Sequence, residues 1–195
     1  MSAYDPNFLD HYILPLPSFA PYLEVDIVRD DDRSGHYIAD YVHYSLVMNG
    51  ADERRSAAYV ALNIDQTRFK TTSRSDRWRI DTRINKACQL DNAYYRNNDW
   101  DRGHLARRAT AAWGDNPIEA QRASNETFYY TNACLQHANL NRDEWLGLED
   151  WVYDLNLDKD GKITSFSGPF YADYDRSVHP SGHALAVVPA GFFKI

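Results

Sequence analysis

Asp101-Arg102-Gly103-His104 sets an imidazole two residues after a guanidinium, with a glycine between them. Hydrolysis of a phosphodiester needs an activated water, a cation on the scissile phosphate and relief of charge on the leaving oxygen. A histidine suits the first need because its ordinary pKa lies near neutrality. An arginine suits the second, since its fork matches phosphate oxygens two at a time. Gly103 permits a close approach of backbone or substrate. Alone the four residues are weak, because a histidine in a strand more often packs than reacts. Further on, Asn141-Arg142-Asp143-Glu144-Trp145-Leu146-Gly147-Leu148-Glu149 adds an amide and a carboxylate. On one continuous helix Asn141 and Glu149 would stand about 80° apart and two turns apart, so both could face one cleft. Asn141 with Glu144 three positions later also reads as a helix N-cap with its capping-box partner. Glu149 alone reads as an exposed helix glutamate.

These residues need elements to hold them. A short strand is expected over 100–106, with the aromatic-rich TFYYTN of 127–132 as its partner. Trp145, Leu148, Val152 and Leu155 recur at three- and four-residue spacing and predict a helix beginning near Asn141. Two more strands are expected over 41–48 and 57–64, and others over 162–167 and 184–188, with one short strand at 22–28. Residues 1–35 otherwise read as an irregular arm, and 66–99, polar, basic and rich in Asn, as a long surface loop. A loop of that length in a compact domain is usually functional. The fold class is therefore α+β, with a mixed antiparallel sheet core, in one domain over 1–195 whose chemistry lies in 100–155.

With 195 residues, 44% hydrophobic and 14% aromatic, the chain can bury a sizeable core. No stretch approaches the roughly 18 apolar residues of a membrane helix, so no membrane partner is expected. No signal peptide is expected either, since MSAYDPNFLDHYILPLP lacks a basic start and apolar run. Localisation stays open, secretion or the periplasm included, and so does a continuation past Ile195, which ends an apolar run. Cys88 and Cys134 lack metal-site or redox-motif spacing and read as reduced thiols, with one disulfide between them as the alternative. The net charge of −7 at first argues against nucleic acid, but its distribution reverses that. Residues 66–108 carry 11 basic and 5 acidic side chains, while both flanks are acidic. Screening confines charge effects to roughly 8–10 Å, so a local basic patch attracts phosphates even on an acidic protein.

The order strand with His, strand, helix with Asn is the ββα-metal arrangement, and with it the chain resembles the DNA/RNA non-specific endonuclease family. It is especially similar to a bacterial branch with a DRGHLxRR motif, here Asp101 to Arg108; YDPNFL, LNID, RxDxRI (Arg79 to Ile84), NNDxDRGH, ETFYYTN and WLGLED also match. The resemblance covers nearly the whole chain. It implies a metal-dependent, sequence-nonspecific endonuclease acting on DNA and RNA and leaving 5′-phosphate ends. His104 would be the general base, and Asn141 the single direct protein ligand of Mg²⁺, with Mn²⁺ as a substitute. One neutral oxygen ligand suits Mg²⁺, which keeps several waters. Glu149 would hold waters around the ion. Arg102 would meet the phosphate, as would an upstream arginine, Arg74 first and Arg77 second.

Many family members have Pro after DRGH-Leu-Ala, where Arg107 and Arg108 stand here, and these two would add phosphate contacts or pair with acidic surface. Leu135-Gln136 replaces the usual Pro-Gln. The residues from Asn156 to Gly161 resemble the start of a calcium loop, but the twelfth position is Ser167 rather than Glu, which favours a polar turn. His11, His36, His43, His137, His179 and His183 show no ligand spacing, and His137 reads as a loop residue. Trp78, Tyr94, Tyr95 and Trp100 lie among arginines and could stack on bases, with core packing an equal reading for Trp100. The competing readings are a nucleic-acid-binding module that has lost catalysis, and an effector domain whose nuclease needs a further C-terminal part. A protein inhibitor, and a monomeric or homodimeric state, are left open.

Overall fold

The structure is a computed structural model that describes residues 3–29, 37–51, 53–155 and 161–195. After a four-residue helix, α1 (Pro21–Glu24), come strands β1 (Ile38–Tyr41), β2 (Tyr44–Met48) and β3 (Ala57–Asp65). Then follow β4 (Trp100–His104), helices α2 (Arg108–Ala111) and α3 (Pro117–Glu126), and β5 (Ala133–His137). The chain continues through α4 (Ala138–Arg142), α5 (Glu144–Asp154), β6 (Lys162–Phe170), β7 (Ser177–Val178), β8 (Ala186–Val187) and β9 (Gly191–Lys194). The expected α+β architecture is present. An antiparallel sheet ordered β1-β2-β3-β6-β9 forms the centre, beside the two-stranded pairs β4-β5 and β7-β8.

Every residue of β2, and all but one of β3, is buried, so both faces of the sheet are covered. Successive side chains of a strand point to opposite faces. Leu46, Met48, Val60, Leu62 and Ile64 accordingly meet Leu105, Ala106 and Val152 from the site-bearing segments. Val47, Tyr59 and Ala61 meet Tyr4 and Ile27 of the N-terminal arm on the other face. A third cluster, with Leu90, Tyr94, Tyr95, Tyr130 and Leu135, underlies the β4-β5 pair. The finger that carries the candidate chemistry is thus supported on apolar packing.

Several elements differ from the sequence reading. Residues 22–28 form no strand: Pro21 starts α1, and only Ile27 makes an isolated bridge, to Asn49. The strand expected over 41–48 is a hairpin, β1 and β2, turning at Val42 and His43. His43 takes φ 70°, an uncommon left-handed value. Its ring is stacked 3.5 Å from that of Trp113, with Nδ1 3.1 Å from the Ala111 carbonyl. Such contacts are invisible in an apolar run that offers no turn residue.

The partner of β4 is not 127–132 but β5, in a register that sets Arg102 opposite Leu135 and His104 opposite Ala133. The aromatics of TFYYTN fill the core, with Phe128 and Tyr130 buried. Asn132 is buried too; its Oδ1 accepts from the Ala106 amide, and its Nδ2 donates to the Ala106 and Thr127 carbonyls. The helix expected from Asn141 is two helices, broken at Asp143 with φ −114° and ψ −90°. Helix α3 was not anticipated, although Asn116-Pro117 announces it: Asn116 Oδ1 accepts from the amides of Ile118 and Glu119, and Pro117 opens the first turn.

The 66–99 segment holds only short 3₁₀ turns, yet it is not surface throughout, since Asp81, Gln89 and Leu90 are buried. Buried polar groups need partners, and here they find them locally. Asp81 accepts from Tyr41 Oη and from the Arg83 guanidinium, while Gln89 Nε2 donates to the Asp81 and Ile84 carbonyls. The RxDxRI motif therefore supplies loop architecture. Both cysteines are free, as expected. The turn anticipated ahead of β6 falls mainly on 156–160, outside the described residues.

Candidate active site

An open cleft of about 970 Å³ lies between the 74–78 loop, the β4-β5 pair and the α4-α5 helices. All eight residues singled out by sequence line it: Arg74, Arg77, Arg102, His104, Arg107, Arg108, Asn141 and Glu149. They come from four stretches of chain, and antiparallel pairing of β4 with β5 joins them. Running directly into α4, β5 delivers Asn141 beside the start of β4.

His104 ends β4. Its ring lies against Trp78, 4.8 Å between centroids, and edge-on to Phe128 at 5.2 Å. Nε2 is buried and has no hydrogen-bond partner among the described residues. Burial, with the positive charges of Arg74 and Arg108, holds its pKa down to about 3. The imidazole is therefore neutral at pH 7, the form in which a ring nitrogen can accept a proton. Arg74 is the nearest in effect of the two upstream arginines, as the first charge acting on His104. It pairs with Asp76 at 2.6 Å, and both side chains are well exposed. Arg77 is exposed on the cleft rim.

Arg102 is held in place by Asn92, whose Oδ1 accepts from Nη2, and by the Tyr95 ring, 5.2 Å from its guanidinium carbon. Its Nε is buried without a partner among the described residues. Arg108 donates to Thr72 Oγ1 at 3.1 Å. Burial and the neighbouring Arg74 and Arg107 charges disfavour its own charge, so an anion placed there would relieve mutual repulsion. Arg107 stands between two carboxylates of helix α5. Its Nη2 donates to Asp150 Oδ1 at 2.5 Å, and its Nε stands 3.6 Å from Glu149 Oε2.

Asn141 is not the N-cap of the long helix, as the alternative reading had it, because it lies within α4 and the cap position before α5 is Asp143. Its Nδ2 donates to Asp101 Oδ2 at 3.0 Å, and Arg142 grips the same carboxylate with two bonds of 2.8 Å. Fixing the amide by its nitrogen leaves the carbonyl oxygen as the atom for a cation. No group of three or more His, Cys, Asp or Glu among the described residues could hold a metal. This donor set fits a hard ion that keeps most of its waters, as Mg²⁺ does, and not a soft metal held by side chains alone.

Glu149 is not an exposed helix glutamate but is 7% exposed, with Oε1 buried and without a hydrogen-bond partner among the described residues. Burial pushes its pKa up, against the pull of Lys194 and Arg107. Asp101, Asn92 and Lys194 have no role in the sequence pattern: Asp101 stands inside the DRGH motif, whereas Asn92 and Lys194 carry no local signal. His137 is the last residue of β5, where Nδ1 accepts from the Asn139 amide and caps α4, so it is not a loop residue. Of the aromatics considered for base stacking, Tyr94 and Tyr95 are buried, Trp100 packs on His137, and only Trp78 lines the cleft.

A model of the DNA/RNA non-specific endonuclease family matches residues 28–195. An uncharacterised protein of Sinorhizobium fredii, y4fB, is 33% identical over 164 residues, which make up 80% of this chain and 24% of that protein. The mitochondrial Nuclease 1 of Schizosaccharomyces pombe is 33% identical over 153 residues, 72% of this chain and 45% of that one. Human mitochondrial Endonuclease G is 29% identical over 125 residues, 60% of this chain and 40% of that protein. The chain therefore spans less than half the length of these curated relatives. Among solved structures, one of the EndoG/EndoGI complex superposes with a TM-score of 0.63 at 21% identity, covering 80% of this chain and 65% of that one. At that identity the likeness is one of fold.

Proposed function

The chain belongs to the DNA/RNA non-specific endonuclease family, and from that premise we propose that its cleft hydrolyses phosphodiester bonds in DNA and RNA with the help of a divalent cation. The observation that carries the reading is the meeting, in one cleft, of a neutral His104, a crowd of arginines and an Asn141 amide tethered through its nitrogen.

His104 takes a proton from the attacking water, through Nδ1, since Nε2 is buried. A ring so strongly disfavoured from charging pulls weakly on a proton. A phosphate drawn between Arg74 and Arg108 would offset the very charges that depress it. Arg102, held by Asn92 and Tyr95, meets the phosphate oxygens without first having to be ordered. Water oxygen bonds to phosphorus as the bond to the 3′ oxygen breaks, leaving a 5′-phosphate and a 3′ oxygen that becomes a hydroxyl by taking a proton from solvent water. The Asn141 carbonyl oxygen would hold Mg²⁺, or Mn²⁺ in its place, with Glu149 facing the ion's water shell. When bound, the ion would stabilise charge on the phosphate and the leaving oxygen. Every group named addresses phosphate, water or metal, and none reads a base edge, which accounts for action without sequence preference.

The test is cleavage of supercoiled plasmid and of a structured RNA, with Mg²⁺ or EDTA, by wild type and His104→Ala. Cutting of both substrates only with metal, and a rate lower by about 10² or more in the variant, is expected from loss of a general base. Retardation of DNA on a gel by both proteins, with no cutting by either, would replace this reading with a binding module.

A further inference from the structure

Beside Glu149, and not among the residues that line the cleft, lies the ammonium of Lys194, from the last strand of the sheet. Its side chain is 6% exposed, and Nζ stands 3.7 Å from Glu149 Oε1. Nζ also donates to Ser167 Oγ at 2.9 Å and lies 4.9 Å from the centre of the Trp145 ring. A buried ammonium is costly unless it is paired, and Glu149 is the carboxylate within its reach. The other oxygen, Oε2, faces Arg107 Nε at 3.6 Å. Arg107 is itself braced by Asp150, and its guanidinium carbon is 5.8 Å from the centre of the Tyr153 ring. Each cation thus addresses a different oxygen, and each is anchored by a neighbour other than Glu149.

We propose that Lys194 and Arg107 form a two-sided clamp that holds the Glu149 carboxylate charged and oriented toward the cleft, so that both are positioning residues and Arg107 is not a phosphate contact. The inference rests on the reading of Glu149 as a group facing the ion's water shell. A carboxylate buried this far would otherwise favour its neutral form, and a neutral carboxyl accepts hydrogen bonds from ordered water less well. Both separations exceed hydrogen-bonding distance, so the clamp acts through charge, and with Oε1 buried it is Oε2 that is left to meet water from the cleft. Among the described residues the charged groups facing Glu149 are Lys194 on β9 and Arg107 ahead of α2, and Asp150 on its own helix braces Arg107.

A double-mutant cycle on Mn²⁺ affinity, read from the paramagnetic resonance signal of free Mn²⁺, tests the clamp apart from turnover. Lys194→Met and Arg107→Gln should each raise the Mn²⁺ dissociation constant by about 10-fold or more, the usual effect of losing an outer-shell partner. In a Glu149→Gln background neither should raise it further, because both act through that carboxylate. Equal losses in both backgrounds, or none in either, overturn the proposal. Should Lys194→Met fail to fold, Arg107→Gln closes the cycle alone. Duplex affinity in EDTA, and its dependence on salt, should match wild type in Arg107→Gln; a shallower salt slope would make Arg107 a phosphate contact and overturn its part. A wild type that shows the Mn²⁺ pattern without cutting plasmid or RNA counts against the nuclease reading and leaves the clamp intact.

Discussion

Asp101 joins two parts of the cleft that are 40 residues apart in sequence: it sits on β4 one residue before Arg102, and it receives Asn141 Nδ2 and the Arg142 fork. Burial alone would raise its pKa, but the hydrogen bonds from Arg142 and Asn141 outweigh it and hold the carboxylate below its ordinary range. Asp101→Ala should therefore free the amide to turn, lowering Mn²⁺ affinity or the Mg²⁺-dependent rate by roughly 10- to 100-fold, measured by titration and plasmid cleavage. His104 makes a second prediction at this scale. Its pKa falls from an ordinary 6.5 to about 3 in the fold, chiefly through burial. Between those values the unfolded chain binds a proton that the folded one refuses, so stability is full above pH 6.5 and declines as pH falls toward 3. Urea unfolding at pH 7 and pH 5 should show this loss in wild type and a smaller one in His104→Phe, which cannot titrate.

The elements that aim these side chains tolerate little change of shape. Gly103 lies in β4 between Arg102 and His104, and a Cβ there would come within 2.7 Å of Gln136 Cβ on the paired strand. Gly103→Ala must push β4 and β5 apart, which should cost about 1–3 kcal/mol of unfolding free energy in urea and misplace both flanking residues. Helix α3 braces the β1-β2 turn, through Glu126 accepting from the Val42 amide and the Tyr44 hydroxyl. Asn116→Ala removes the acceptor that caps α3 and should lower stability by roughly 0.5–2 kcal/mol, with the cleft's arginines untouched. The break at Asp143 separates a short helix carrying Asn141 from a longer one carrying Glu149, so the two need not share one helical phase.

Across the whole molecule the charges are sorted rather than mixed. The net charge is −7, yet residues 66–108 hold 11 of the 21 basic side chains, and the cleft gathers Arg74, Arg77, Arg102 and Arg108 on one side of an otherwise acidic protein. If these four meet phosphates, the affinity for duplex DNA in EDTA should fall roughly 10²-fold between 50 mM and 200 mM salt. Fluorescence anisotropy of a labelled duplex would measure it, and a flat salt dependence would remove the cleft as the nucleic-acid surface. No helix among the described residues is long and apolar enough to cross a membrane.

By itself the sequence determined which residue types gather and in what order. DRGH, the asparagine and the glutamate carry their chemistry in side chains whose spacing is readable, and β3, with its unbroken apolar run, is legible because burial on both faces leaves its mark on composition. The tertiary structure decided the rest, because the deciding contacts lie far apart along the chain. Nothing local distinguishes the apolar 41–48 from a single strand; Trp113 and the Ala111 carbonyl hold His43 at the turn. TFYYTN looks like a strand and is core filling, with Phe128 and Tyr130 buried while β4 pairs with β5 instead. Asn141 has the pattern of a cap and becomes instead an amide tethered by Asp101. Glu149 looks like surface until β9 brings Lys194 beneath it, 45 residues later in the chain, where burial and charge give the carboxylate the environment that its sequence neighbours do not supply.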